Sequence, residues 1–139
     1  MANLSALLNA TLSITDTTLT PNATIVTRNL NNPTYSATEL GYWPFFQIGT
    51  TSTGFSLPSL EAYVVYIKNL ATSANILLAW TPDGGSAVNV CVIAPGGVFI
   101  YFMPTQTAGT PISGISNGIT SLSLTASAAA TSADVLLAS

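Results

Sequence analysis

The chain of 139 residues contains no histidine, one cysteine and two basic residues. Without histidine it lacks the commonest general base, the commonest metal ligand and the usual pH switch. The single thiol, Cys91, can form neither an intramolecular disulfide nor a cysteine cluster for zinc. Arg28 and Lys68 are too few to neutralise a run of phosphates, so nucleic acid is excluded as a partner.

Charge of either sign is scarce. Charged residues make up 5% of the chain, whereas an ordinary globular protein has about 25%. Disorder driven by charge is excluded because 48% of the residues are hydrophobic. The exposed surface must then consist of Thr, Ser, Asn, Gln and Ala, and little net charge keeps such molecules apart. This composition favours a chain that is built into an assembly.

Candidate catalytic groups are few and scattered. Asp83 lies in "TPDGG", where an aspartate typically forms a turn and does not act as an acid or a ligand. Lys68 has no neighbour that predicts a depressed pKa, and no series of oxygen ligands resembles a calcium loop. We therefore predict no enzyme activity, no cofactor and no metal site. The carboxylates, none of which forms a pair at a recognisable spacing, are Asp16, Glu39, Glu61, Asp83 and Asp134.

A membrane span is not predicted either. The longest nearly apolar run, residues 90–103, falls short of the roughly 20 residues that a membrane helix needs. The run also contains "APGG", in which Pro95 fixes φ and Gly96 is free to adopt a positive φ. Two strands joined by a hairpin explain this segment better.

Runs of strand length, separated by turn residues, cover most of the chain. This spacing predicts an all-β fold, a single β-sandwich domain over 1–139 with about 8–9 strands in a jelly-roll or related Greek-key arrangement. Segments 1–9 and 31–41 are predicted as extended arm or loop segments, and 104–118 as a long loop. Single strands are predicted at 10–17, 23–30, 42–49, 119–126 and 132–138. Between 42–49 and 119–126, a meander of four strands is predicted at 61–69, 75–81, 87–94 and 97–103.

The segment "EAYVVYIKNLATSANILLAW", residues 61–80, is apolar on both faces of its strands. Successive side chains of a strand point to opposite faces, so a half-buried strand alternates apolar and polar residues. In 119–126 that alternation is clean, with Leu122 and Leu124 predicted inside and Ser121 and Ser123 outside. The 61–80 strands are instead predicted to be covered on both faces, by the core on one side and by a second subunit or an underlying shell on the other.

Aromatic residues cluster between Tyr35 and Phe46. They can pack in the core, dock on a neighbouring molecule, or form a platform for carbohydrate, since Trp and Tyr dominate contact hot spots. The candidate interface residues are Tyr42, Trp43, Phe45, Phe46, Tyr66 and Trp80.

From Gln47 to Ala138 the order of motifs resembles small structural proteins of tailed bacteriophage virions. The motifs are "IGTT" at 48–51, an aromatic followed by "KNL" at 66–70, the Pro-Gly turn and apolar strand at 95–102, and the closing "TASAAAT" and "DVLLA" segments. The chain departs from that pattern by lacking the charged residues that such proteins usually carry in these segments.

The resemblance implies a capsid decoration (cement) protein that stabilises the shell through apolar and hydrogen-bonded contacts. It would act as a homotrimer on the capsid surface of the virion, assemble in the host cytoplasm, and contact the major capsid protein or other virion subunits. The alternative is a glycan- or receptor-binding β-sandwich module of a phage tail or fibre, which would bind through Trp43, Tyr42 or the loop 104–118.

Overall fold

The computed structural model describes residues 4–6, 9–16, 23–31, 35–37, 39–58, 61–82, 85–102, 118–129 and 131–139, with side chains from Glu39 onward except that of Phe102. Every regular element in these ranges is a β-strand, as predicted. We find no helix among them with the length and hydrophobicity needed to cross a membrane. The residues group into two compact units, Met1–Leu4 with Ala37–Ser139, and Ser5–Ser36. The single domain over 1–139 stays a prediction.

The described ranges contain twelve strands. In chain order they are β1 (Leu4–Ala6), β2 (Asn9–Asp16), β3 (Ala23–Asn31), β4 (Tyr35–Ala37), β5 (Leu40–Ile48), β6 (Thr53–Phe55), β7 (Val64–Asn69), β8 (Ile76–Pro82), β9 (Val88–Ile93), β10 (Val98–Phe102), β11 (Ile119–Ala126) and β12 (Thr131–Ala138).

The larger unit is a sandwich of two four-stranded antiparallel sheets. We call the sheet with the order β10-β7-β12-β5 the first sheet and the sheet with the order β6-β11-β8-β9 the second sheet. Its eight strands form four nested antiparallel pairs, β5 with β12, β6 with β11, β7 with β10, and β8 with β9. Successive nested pairs alternate between the sheets, which is the strand order of a jelly roll. The predicted all-β sandwich is therefore confirmed.

The core lies between the inner faces of the two sheets. Leu122 and Leu124 of β11 are almost fully buried, whereas Ser121 and Ser123 are only partly buried, as the alternation predicts. Edge-to-face aromatic pairs cross between the sheets, and one of them joins Trp80 of β8 to Phe99 of β10 with ring centroids 5.9 Å apart. Large side chains with less than 2% exposure come from both sheets: Ile48, Ile67, Ile76, Leu78, Leu122, Leu124, Leu137, Val65 and Val135.

The smaller unit contains the antiparallel ribbon of β2 and β3. Its register pairs Ile14 with Val26, and at neighbouring positions Ser13 with Thr27. The short strands β1 and β4 pair with each other in a separate two-stranded ladder.

Two details of the predicted chain path are wrong. The predicted meander over 61–103 is not one, because β7 and β10 belong to the first sheet while β8 and β9 belong to the second. The "APGG" turn therefore connects different sheets and does not form a hairpin. Its geometry is as predicted. Gly96 has a φ of 71°, and the backbone N–H of Gly97 donates to the carbonyl oxygen of Ala94 at 2.8 Å.

Three short strands lie where no strand was predicted: β1 within the segment 1–9, β4 within 31–41, and β6 between the predicted strands 42–49 and 61–69. β6 has three residues and pairs with β11 at the edge of the second sheet. A three-residue strand is too short to show an alternating pattern, so the Gly and Pro residues around it favoured a loop. The predicted loop 104–118 lies outside the described residues except for Gly118.

Candidate docking surface

The outer face of the first sheet is apolar, although it faces away from the core. On β7, Val65, Ile67 and Asn69 are fully buried and point inward. Tyr66 and Lys68 alternate with them and therefore lie on the outer face. The same alternation on β12 places Leu136 outward, because Val135 and Leu137 are buried in the core.

One row of large side chains crosses the outer face of all four strands. Leu136 of β12 is the register partner of Tyr42 on β5 and of Tyr66 on β7. Tyr66 is in turn the partner of Ile100 on β10. Direct cross-strand partners on one face have Cβ atoms about 5 Å apart. Tyr42, Leu136, Tyr66 and Ile100 therefore form a continuous apolar band that we call the outer row.

Further apolar residues flank the outer row on both sides. Toward one end of the strands, Ala138 pairs with Leu40 and with Val64 on the same face, and of these three only Leu40 is exposed. Toward the other end, Val98 pairs with Lys68, and Lys68 pairs with Asp134. The two charges that this face carries are thus opposite in sign and adjacent.

A β-bulge in β5 sets the position of Phe45. Asp134 faces β5 between the register pairs Ala133 with Phe46 and Val135 with Trp43, so two residues of β5 stand opposite one of β12. The backbone N–H of Phe45 donates to Oδ1 of Asp134 at 2.9 Å. The Asp134 carboxylate thereby satisfies a donor that the bulge removes from the strand ladder.

Phe45 also has an unusual backbone conformation. Its φ is 50°, and no other non-glycine residue in the described part of the chain has a positive φ. Such a conformation costs a bulky residue on the order of 1–3 kcal/mol. Its side chain is nevertheless 74% exposed, the highest fraction among the large hydrophobic residues described. Burial in this subunit therefore does not compensate the cost.

The outer face of the second sheet is chemically different. Ser121, Ser123 and Thr125 of β11 lie on it, opposite residues of β8. Its apolar part includes Ala79 and the register partners Leu77 and Val92, of which Val92 is exposed. A shallow open groove there is lined by Asn75, Leu77, Val92, Thr125, Ala126 and Ser127, none of which is charged. The sandwich therefore presents one apolar and one mainly hydroxyl-bearing face.

The structure divides the predicted interface residues into two groups. Tyr42 and Phe45 are exposed, and Tyr66 is half-buried, on the outer face of the first sheet. The other three, Trp43, Phe46 and Trp80, pack against the core. Trp43 and Phe46 each make an edge-to-face contact with Phe55, with ring centroids 5.3 Å and 5.2 Å away, and Trp80 contacts Phe99 and Tyr101 in the same way. The side chain of Tyr35 lies outside those described.

Sequence reasoning did not single out the aliphatic members of this surface. Leu40, Val98 and Ile100 each expose between 43% and 49% of their area. Val98 and Ile100 lie in the apolar strand 97–103 that was predicted, so alternation along it could have placed them on one face together. What the pattern could not show was that this face is the outer one.

The described ranges hold few ionisable side chains. They contain no group of three or more His, Cys, Asp or Glu side chains that could hold a metal ion. Cys91 is half-buried and packs against the core, where desolvation raises the pKa of its thiol. Because a thiol reacts as the thiolate, a raised pKa makes Cys91 less reactive. Asp83 and the side chain of Asp16 lie outside what the structure describes.

No family model matches the chain, and neither a curated protein nor a solved structure matches it.

Proposed function

We propose that this chain is a non-enzymatic structural subunit of a bacteriophage virion, a capsid decoration (cement) protein. The observation that carries the proposal is the outer row of Tyr42, Leu136, Tyr66 and Ile100, an apolar band across a whole sheet that the subunit leaves partly uncovered. Monomeric soluble proteins rarely expose contiguous apolar patches larger than a few hundred Å². A protein that works by contact needs such a face.

The virion assignment rests on two further supports. The order of motifs from Gln47 to Ala138 resembles small virion proteins of tailed phages. The jelly roll also occurs among viral capsid domains, although it occurs among lectins too and a fold alone does not determine a function. The face-wide apolar band favours the assembly role, because a lectin site needs polar groups that hold sugar hydroxyls.

As a decoration protein the chain forms a homotrimer on the capsid surface and contacts the major capsid protein or other virion subunits. Apolar burial stabilises such contacts by about 25 cal/mol per Å², offset by the freedom lost on association. Charge contributes little, because Arg28 and Lys68 are the basic residues of the whole chain.

The proposal is tested on purified virions of the virus that encodes the chain. We expect mass spectrometry to find its peptides in stoichiometric amounts and antibodies to label the particle surface. We also expect the protein to stay bound in 1 M NaCl, because the Debye length falls to about 3 Å there and only charge-dependent contacts are lost. A urea wash, which weakens apolar contacts, serves as the positive control for release.

Two results would contradict the proposal. Particles without these peptides would remove the virion role, and release by salt alone would remove the proposed contact chemistry. Binding to a glycan array, or a rise in melting temperature with a soluble sugar, would favour the glycan-binding alternative, since a decoration protein should show neither.

A further inference from the structure

We infer that the apolar outer face of the first sheet is covered by other copies of this chain, with Phe45 as the main anchor. The inference deepens the proposed function, on which it rests in taking this face as the assembly surface. It names the partner as the chain itself, before any contact with a shell protein.

The first argument is the area of the face. Leu40, Tyr42, Phe45, Val98 and Ile100 are between 43% and 74% exposed, and with roughly 150–250 Å² for a large side chain they expose about 500 Å². Tyr66, Leu136 and the flanking polar positions bring the face to roughly 600–800 Å². One side of a standard specific interface buries about 800 Å². The face is therefore large enough for a stable contact between copies.

The second argument is the composition of the face. Interfaces between copies of one chain are more apolar than those between proteins that also exist apart. The outer row contains no charged residue in any of the four strands. A chain that leaves such a face bare, with a formal net charge of −3, has little electrostatic repulsion to keep its copies apart.

The third argument is charge complementarity. Lys68 and Asp134 are register partners on neighbouring strands of the same face. When two copies pack through this face, the Lys68 ammonium group of one can approach the Asp134 carboxylate of the other. Neither charge is then buried next to a charge of the same sign. A face of one sign would repel its own copy, whereas this pair suits self-association.

The fourth argument is the conformation of Phe45. The bulge and the hydrogen bond from its N–H to Asp134 hold this ring outward in a backbone conformation that is costly for phenylalanine. Buried aromatic residues near the centre of a contact commonly dominate its energy. Closed cyclic symmetry would bury the face in every copy without leaving one free to polymerise.

The test is light scattering coupled to size exclusion on the full chain between about 1 and 50 µM. We expect a mass of several copies of the 14.3 kDa chain, three being the expected number. Phe45→Asn should raise the dissociation constant at least ~30-fold, as loss of a hot-spot residue does. Asparagine tolerates a positive φ, so this variant keeps the bulge.

A second variant and a matched control complete the design. Ile100→Thr keeps a β-branched residue on β10 and should also weaken association. Val92→Asn introduces the same polarity on the outer face of the second sheet, where Val92 is 61% exposed, and should leave the mass unchanged. Circular dichroism of each variant should match that of the wild-type chain.

The inference is overturned by a wild-type monomer at 50 µM, by oligomers that both face variants leave intact, or by disruption through Val92→Asn alone. These outcomes are separate from failure of the proposed function. A monomer that is nevertheless found in virions would remove self-association only, and an oligomer absent from virions would remove the virion role only.

Discussion

Two residues on the core side of the sandwich make the stability sensitive to alkali. Desolvation raises the pKa of the Tyr101 hydroxyl, whose ring packs edge-to-face on Trp80 with centroids 5.2 Å apart. Desolvation likewise raises the pKa of the Cys91 thiol. A raised pKa in the folded state means that the neutral group stabilises the fold fully below its unfolded pKa, and that this stability is lost as the pH rises through the folded pKa.

We therefore expect the melting temperature to be constant from pH 6 to 8 and to fall above about pH 9, where the unfolded thiol and then the unfolded phenol begin to ionise. Tyr101→Phe removes one ionisable group and should make the fall shallower. Thermal melts followed by circular dichroism at each pH measure this. A melting temperature that stays constant to pH 11, or the same fall in Tyr101→Phe, would count against the assignment.

The direction of individual side chains in β5 could not be predicted from the sequence. Strict alternation would place Trp43 and Phe45 on one face and Tyr42 and Phe46 on the other. The bulge opposite Asp134 inserts one residue, so that Trp43 and Phe46 share the inner face. A bulge leaves no signal in the apolar pattern. The sequence therefore left core packing and docking as alternatives for the aromatic cluster, whereas in the structure Trp43 and Phe46 pack against the core and Tyr42 and Phe45 are exposed.

At the scale of elements, one buried side chain connects three separate segments. The Asn69 amide nitrogen at the end of β7 donates to Ala74 O at 2.8 Å and to Ile93 O at 3.0 Å. Its amide oxygen accepts from Ala71 N at 3.0 Å. The Asn69 side chain thereby joins β7 of the first sheet to the end of β9 in the second and to the connection that precedes β8.

Asn69→Ala should lower the free energy of unfolding by about 2–4 kcal/mol, because buried carbonyl and N–H groups lose their partners. Urea denaturation measures the change. Asn75→Ala is the matched control, since the residue is exposed and the bond that it makes to Ser127 uses its backbone N–H. A loss below about 1 kcal/mol in Asn69→Ala, or an equal loss in the control, would show that the amide does not hold these segments together.

Strand positions could be predicted well, whereas strand partners could not. The predicted segments 119–126 and 132–138 differ from β11 and β12 by at most one residue at an end. Alternation identifies the face on which a residue lies, but it does not identify the neighbouring strand. The jelly roll pairs β5 with β12 and β6 with β11 across most of the chain. A local rule that pairs consecutive strands therefore gave a meander that the molecule does not have.

For the whole molecule, the central feature is the difference between its two outer faces. The segment 61–80, apolar on both sides, supplies a central strand to each sheet: β7 lies between β10 and β12, and β8 lies between β11 and β9. On the outer faces, Tyr66 of β7 lies between the apolar residues Leu136 and Ile100, whereas Leu77 of β8 lies between Val92 and the polar Thr125. That such strands need cover on both sides stays a prediction, and our proposals assign the cover of the first sheet to assembly.

Hydroxyl-radical footprinting tests most directly whether the outer face of the first sheet is the assembly surface. The protein is labelled as the assembled species and again after dilution, and oxidation is measured at Tyr42 and Phe45. Val92, on the outer face of the second sheet, serves as the internal control. We predict strong protection of Tyr42 and Phe45 in the assembled species with unchanged oxidation of Val92. Equal oxidation of Tyr42 and Phe45 in both samples would contradict the account.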